Sequence, residues 1–328
     1  MSEEEQKETI IQYTDDFCFP QILNISCRKP RLHWTKATVL FVKYVINLNL
    51  FPSRQLHSPT NILLLSLAVS DFLVGLLLLP MDIYRNTSCW LLGEIMCAFV
   101  FFLASNVPLV SVGNIVLISV DRYVAICHPL HYSTRITAEK AKLCVCLCWL
   151  WYGLYSMFYI RDQITQIIKP FRNDSCLGRC DFLVSYATGV VDLILMFILP
   201  VTTIVVLYMK VFVVAVIQAR SVRLQATFVS VQHPVKAKAK KSELKAARTL
   251  GVLVFVYLLS FCPYYCYSLQ DVNLTESVFS YVLIGFVYFN SCVNPVIYTL
   301  FYPWFRKAVK LIITLQILKP DSCETNMQ

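Results

Sequence analysis

Apolar residues in this chain are gathered into blocks long enough to cross a membrane. Six are clear, at roughly 61–84, 94–126, 142–160, 182–213, 244–268 and 278–302. A seventh, near 37–51, is weaker: Lys43 interrupts it and Pro52 ends it. A lysine at mid-bilayer costs about 2.5–3.5 kcal/mol on the insertion scale. The flanking polar stretches nevertheless ask for an odd number of spans. Residues 1–30 hold the sequon Asn24-Ile25-Ser26, which places them outside, whereas the tail after 302 is basic and therefore inside. Further sequons at Asn86, Asn173 and Asn273 fall in segments that seven-span topology puts outside. The predicted fold class is an all-α membrane protein, a seven-transmembrane-helix bundle. Residues 304–316 read as a short amphipathic helix on the inner leaflet. The domain division is an extracellular segment 1–30, a receptor domain 31–303 with an atypical first span, and an interfacial helix with a cytoplasmic tail over 304–328.

Composition agrees with a chain that meets lipid. Hydrophobic residues make up 57% and charged residues 15%, against about 25% charged in soluble domains, and mean hydropathy is +0.60. The opening residues are acidic and polar, so no cleavable signal peptide is expected and the first apolar span serves as the signal anchor. Net charge is +9, and its placement matters more than its size. Basic residues cluster at 210–248 and after the last span, which sets membrane orientation rather than pointing to nucleic acid. Of 14 cysteines, Cys127, Cys144, Cys146, Cys148, Cys262, Cys266 and Cys292 fall in apolar spans as expected free thiols. Cys18, Cys27, Cys89, Cys97, Cys176 and Cys180 fall in outer segments, where disulfides persist.

The last block carries an Asn-Pro pair inside an apolar run, Asn294-Pro295, closed by Tyr298. Pro295 removes a backbone donor in mid-helix and bends it. Asn294 and Tyr298, four apart, point from one face of that bend. Such polar groups are costly in lipid unless they face other helices or internal water.

These motifs resemble those of a rhodopsin-like (class A) G-protein-coupled receptor from about Leu56 to Phe305. Leu67-Ala68-Val69-Ser70-Asp71 is similar to the family's second-span motif, and Asp121-Arg122-Tyr123 to its third-span motif. Trp149, Pro200, Tyr208 and Pro263 fit spans four to six, and Trp90-Leu91-Leu92-Gly93 before Cys97 fits the first outer loop. Within that class the run Asn290-Ser291, Asn294-Pro295, Tyr298, Tyr302, Trp304-Phe305 resembles the fingerprint of trace-amine-associated receptors, as do Leu56–Asn61 and Ser175–Cys180. The resemblance implies disulfides Cys97–Cys180 and Cys27–Cys176, the alternative being unpaired thiols; the sequon at Asn24 makes it the expected glycosylation site. It implies a small amine ligand, a heterotrimeric G protein of the stimulatory or olfactory type, a plasma-membrane location and no cofactor.

In amine receptors an aspartate eighteen residues before the Arg of Asp-Arg-Tyr holds the ligand ammonium. Here that position is Ala104, on the helix face of Arg122 and about 27 Å outward. The counter-ion is therefore expected to be missing from the third span. Asp192, eight residues before Pro200, is expected to replace it from the fifth, as in fish-type members. An ionisable group inside the membrane is a functional hypothesis by default. The alternative is a protonated Asp192 bonded to a nearby hydroxyl. Phe261, Tyr264, Tyr265 and Tyr288 are expected to supply aromatic faces that attract cations, with Ser105 and Met196 lining the rest. Each ring has plain packing as its alternative.

The resemblance assigns coupling to Asp121, Arg122, Tyr123, Tyr208, Glu243, Tyr257, Asn294, Pro295 and Tyr298. Arg122 is expected to pair with Glu243 in the inactive state. Phe261 stands where the family carries a Trp. Asp71, Ser111, Asn290, Ser291 and Asn294 resemble the family's internal sodium site, with a polar packing network as the alternative. No catalytic constellation accompanies His57 or His128, so an enzyme is not expected. Two readings stand beside the amine receptor: a non-signalling paralogue with a defective first span, and a receptor for a non-amine ligand. A channel or transporter would need charges on several spans along one path, and no internal repeat is seen.

Overall fold

The computed structural model describes residue 18, residues 58–167, residue 180, and residues 186–228, 234–268 and 278–301. Within them the chain is helical. α1 is Pro59–Thr87, α2 Gly93–Cys127, α3 the short Pro129–Arg135 and α4 Ala138–Ile167. α5 runs without a break through Tyr186–Asp192, Leu193–Ile198 and Leu199–Phe228, and is followed by α6, Pro234–Ser268, and α7, Val278–Phe301. Helices α1, α2, α4, α5 and α6 each hold a stretch long and apolar enough to cross a membrane, and α7 holds a shorter one, Val282–Asn294. The expected first span at 31–53 and the interfacial helix at 304–316 lie outside the described residues.

Sequence sets the helix ends and bends. Ser58 caps α1, its hydroxyl accepting from the Asn61 amide at 3.2 Å, with Pro59 at the first helical position. Two turns widen to π geometry, Val74–Leu78 in α1 and Leu193–Ile198 in α5. Each stands just before a proline, Pro80 or Pro200. A proline ring clashes with the carbonyl four residues back, here Leu76 or Met196, and the wider turn makes room without breaking the helix. Gly93 starts α2 at φ 78°, a left-handed conformation that side chains resist, and its carbonyl accepts from the Trp90 indole at 2.8 Å.

α2 is the central helix, packed against α1, α4, α5, α6 and α7. The core joins Leu67, Val112, Ile115, Ile204, Leu253, Tyr257 and Ile297 from five helices. Large apolar side chains on the outer face of α4, among them Leu143, Leu147, Leu150, Trp151 and Leu154, are exposed. On a membrane-spanning bundle that face meets lipid. The architecture is an all-α membrane bundle, as expected.

Candidate functional site

Three polar groups mark the bundle from its inner to its outer end. The inner one is built on the last turns of α2. Asp121 is buried, and its Oδ2 accepts from Thr60 Oγ1 at 2.8 Å and from Arg122 Nε and Nη2 at 3.1 and 2.6 Å. Its Oδ1 accepts from the Tyr132 hydroxyl at 3.0 Å. Arg122 Nη2 also donates to Thr60 Oγ1. One carboxylate thus ties the start of α1 and the loop helix α3 to α2, and charged partners make such bonds strong. Tyr132 lies outside the spans; burial pushes its phenol above the usual tyrosine range, the bond to Thr60 opposes this, and the Asp121 charge adds to it. The ring of Tyr123 meets His128 at 5.7 Å and carries the Lys210 ammonium over its face at 5.8 Å. Glu243 falls on α6, but its side chain lies outside the described residues, as do those of Pro295 and Tyr298 on α7.

The middle group is fully internal. Asp71 on α1 has no exposed surface. Asn294 Nδ2 donates to both its carboxyl oxygens, at 3.2 and 3.0 Å, and Ser111 Oγ donates to Oδ1 at 3.4 Å. The Oδ1 atoms of Asn290 and Asn294 are buried with no hydrogen-bond partner among the described residues. A carboxylate, a hydroxyl and unpartnered amide oxygens form the donor set a hard cation prefers. Among the described residues no cluster of three or more His, Cys, Asp or Glu side chains fits a metal.

The outer group centres on Asp192, at a half-buried position of α5. Its Oδ1 accepts from the Tyr155 hydroxyl of α4 and its Oδ2 from the Tyr265 hydroxyl of α6, each at 3.0 Å. The expectation that the counter-ion aspartate is missing from the third span, with Asp192 standing in for it, is corrected here. α2 is that span, and it does carry an aspartate, Asp121, buried and ion-paired with Arg122 at 2.6 Å. Ala104 carries no charge, and the charge on this span stands at Asp121, beside Arg122. Asp192 moreover has a tyrosine hydroxyl donating to each of its oxygens.

The other expected pocket residues fall into separate packed groups. Phe261, Tyr264 and Tyr265 join the main core. Tyr288 packs with Val74, Leu78 and Val107, and Leu103 and Ala104 lie against it. Met196 is buried with Leu109, Val110 and Tyr152. The hydroxyl of Ser105 turns back onto its own helix, donating to the Phe102 carbonyl at 3.1 Å.

At the outer rim Cys97 and Cys180 form the expected disulfide. Cys18 and Cys89 form a second one that spacing did not indicate. The expected Cys27–Cys176 pair and the Asn24 glycosylation site lie outside the described residues. Arg85 closes the rim: it pairs with Asp82 at 2.7 Å, donates to the Cys180 carbonyl at 3.3 Å and stands over the Phe101 ring. Asn86, first residue of a sequon, is buried at the end of α1, 6% exposed.

Comparison with known proteins gives this arrangement a family. The model of the 7 transmembrane receptor (rhodopsin family) matches residues 44–298. Trace amine-associated receptor 13c of Danio rerio is 35% identical over 333 residues, covering 95% of this chain and 96% of the relative. Trace amine-associated receptor 7a of Mus musculus is 37% identical over 281 residues, covering 84% of this chain and 78% of the relative. Receptor 7b of Rattus norvegicus is similar to the same extent, 37% over 281 residues. The chain belongs to the trace-amine-associated receptor family. As a rhodopsin-family receptor it is a multi-pass protein of the plasma membrane, of a class that couples to G proteins and is not enzymatic.

Several residues that hold this trace-amine-associated receptor together escaped the sequence reading. Thr60 and Tyr132 complete the Asp121 group, Tyr155 the Asp192 group, and Ser66 Oγ accepts from the Trp149 indole N–H at 3.0 Å. Each is a single hydroxyl on a helix or loop, and no spacing rule marks which aspartate or indole it meets across the bundle.

Proposed function

We propose that this receptor detects small amines and signals through a heterotrimeric G protein of the stimulatory, olfactory class. The observation that carries this reading is the likeness, over 95% of the chain, to a trace amine-associated receptor. The rings of Phe261, Tyr264, Tyr265 and Tyr288 support it, because aromatic faces attract ammonium groups. Ala104, Ser105 and Met196 are the small and apolar positions proposed beside them. At the inner end, Arg122, Tyr123, Tyr208, Glu243, Tyr257, Pro295 and Tyr298 are proposed to carry the signal, with Asp121 holding Arg122 until a G protein binds. Asp71, Ser111, Asn290 and Asn294 are proposed to hold a sodium ion through their oxygens.

The test is cAMP accumulation in cells whose surface receptor is labelled, challenged with a panel of volatile amines. At least one amine raises cAMP, and Tyr264→Ala weakens that response by about 2- to 30-fold, the worth of one cation–ring contact. A labelled receptor silent to the whole panel overturns the reading. Lys43 in the first apolar block favours the non-signalling paralogue, for which surface labelling itself fails.

A further inference from the structure

Asp192 sits on α5 with its two carboxyl oxygens turned to two other helices. The hydroxyls of Tyr155 on α4 and Tyr265 on α6 each donate to it at 3.0 Å. A phenol has one proton to donate, so each tyrosine spends its only donor there. From Tyr265 a line of rings leads inward. Tyr265 stacks on Phe197 of α5, with centroids 4.7 Å apart and planes 25° from parallel. Phe197 meets Tyr257 at 6.4 Å, and Tyr257 lies against Phe261 at 4.7 Å. Tyr257 has no exposed surface, and its hydroxyl finds no hydrogen-bond partner among the described residues. A buried hydroxyl left so has lost its hydrogen bonds to water without replacing them.

The line of rings is therefore held at its outer end and holds an unused donor at its inner end. Between them α6 carries Pro263 inside the helix. A proline there frees the carbonyl four residues back, at Leu259, and makes this the bending point of α6. Tyr264 and Tyr265 lie outward of the bend, and Tyr257 and Phe261 lie inward of it. We propose that Asp192, Tyr155 and Tyr265 form a clasp that locks α4, α5 and the outer part of α6 together in the resting receptor. Opening the clasp frees α6 to turn at Pro263, so that the Tyr257 hydroxyl leaves its unpartnered place. Two packings of one contiguous network, each favoured by different contacts, are what a conformational switch requires. This role concerns how the helices are held and assigns no ligand contact to Asp192; only its signalling readout rests on the G-protein reading above.

Tyr155→Phe is the deciding variant, because it removes one hydroxyl from α4 and changes no atom of α6. Tyr265→Phe accompanies it, and surface labelling confirms that each variant folds. Hydrogen–deuterium exchange on the purified receptor reads the amides of 258–268, and cells report ligand-free cAMP per labelled receptor. Exchange in 258–268 is expected to speed at least threefold in Tyr155→Phe and in Tyr265→Phe, with ligand-free cAMP up by a similar factor. Unchanged α6 exchange in Tyr155→Phe overturns the clasp. Faster exchange with flat ligand-free cAMP, in a receptor that answers an amine, overturns it as a restraint on signalling. If the intact receptor answers no amine, the G-protein reading fails first, and exchange alone decides the clasp.

Discussion

Asp121 is one side chain with four donors on it, and three of its partner groups come from different parts of the chain. Arg122 is its sequence neighbour, Thr60 opens α1 and Tyr132 belongs to the loop helix α3. A bond to a charged group is worth about 1.5–3 kcal/mol. Tyr132→Phe removes one such bond and keeps the ring, and Thr60→Val removes another while keeping the shape. Both variants are expected to raise ligand-free cAMP several-fold and lower the melting temperature of the purified receptor; unchanged values in both would show that Arg122 alone restrains Asp121. At this scale the sequence revealed the acid and the arginine, because two charges side by side in an apolar run are conspicuous. It did not reveal Thr60 or Tyr132, since a hydroxyl carries no mark of the carboxylate it will face.

Helices meet most closely where a side chain is missing. A Cβ placed on Gly113 of α2 would fall on the ring of Tyr152 and 2.6 Å from the sulfur of Cys148, both on α4. Overpacking of this kind costs about 1–3 kcal/mol. Gly113→Ala is therefore expected to lower the melting temperature, and Cys148→Ala in the same chain to restore part of the loss. No recovery would mean that the Tyr152 ring alone sets the α2–α4 distance. Gly251 on α6 plays a similar part, its missing side chain making room for the Tyr208 hydroxyl of α5. The helices themselves were legible as apolar blocks, and Pro200 and Pro263 fitted spans five and six. That the turns before Pro80 and Pro200 widen was not legible, because a proline states what bond is lost and not how the neighbouring turn adjusts.

The bundle as a whole is organised around α2, and its polar interior joins residues far apart in the chain. Asp71 and Asn294 are 223 positions apart and share two hydrogen bonds. That pairing was approachable from the sequence only through resemblance to a family, since spacing says nothing about contacts across a bundle. The Cys97–Cys180 bridge was foreseen in the same way. The bridge from Cys18 to Cys89 was not: the sequence placed both in outer segments but offered six candidates there and no rule for pairing them. That second bridge has a practical corollary for handling the protein. It turns the backbone between its ends, a separation of 71 positions, into a closed covalent ring. A protease nick anywhere inside the ring leaves both pieces attached, so an epitope fused ahead of Met1 migrates with intact receptor on a gel run without thiol. Adding dithiothreitol to the same nicked sample splits off a small tagged peptide; release without dithiothreitol would show that the ring is open.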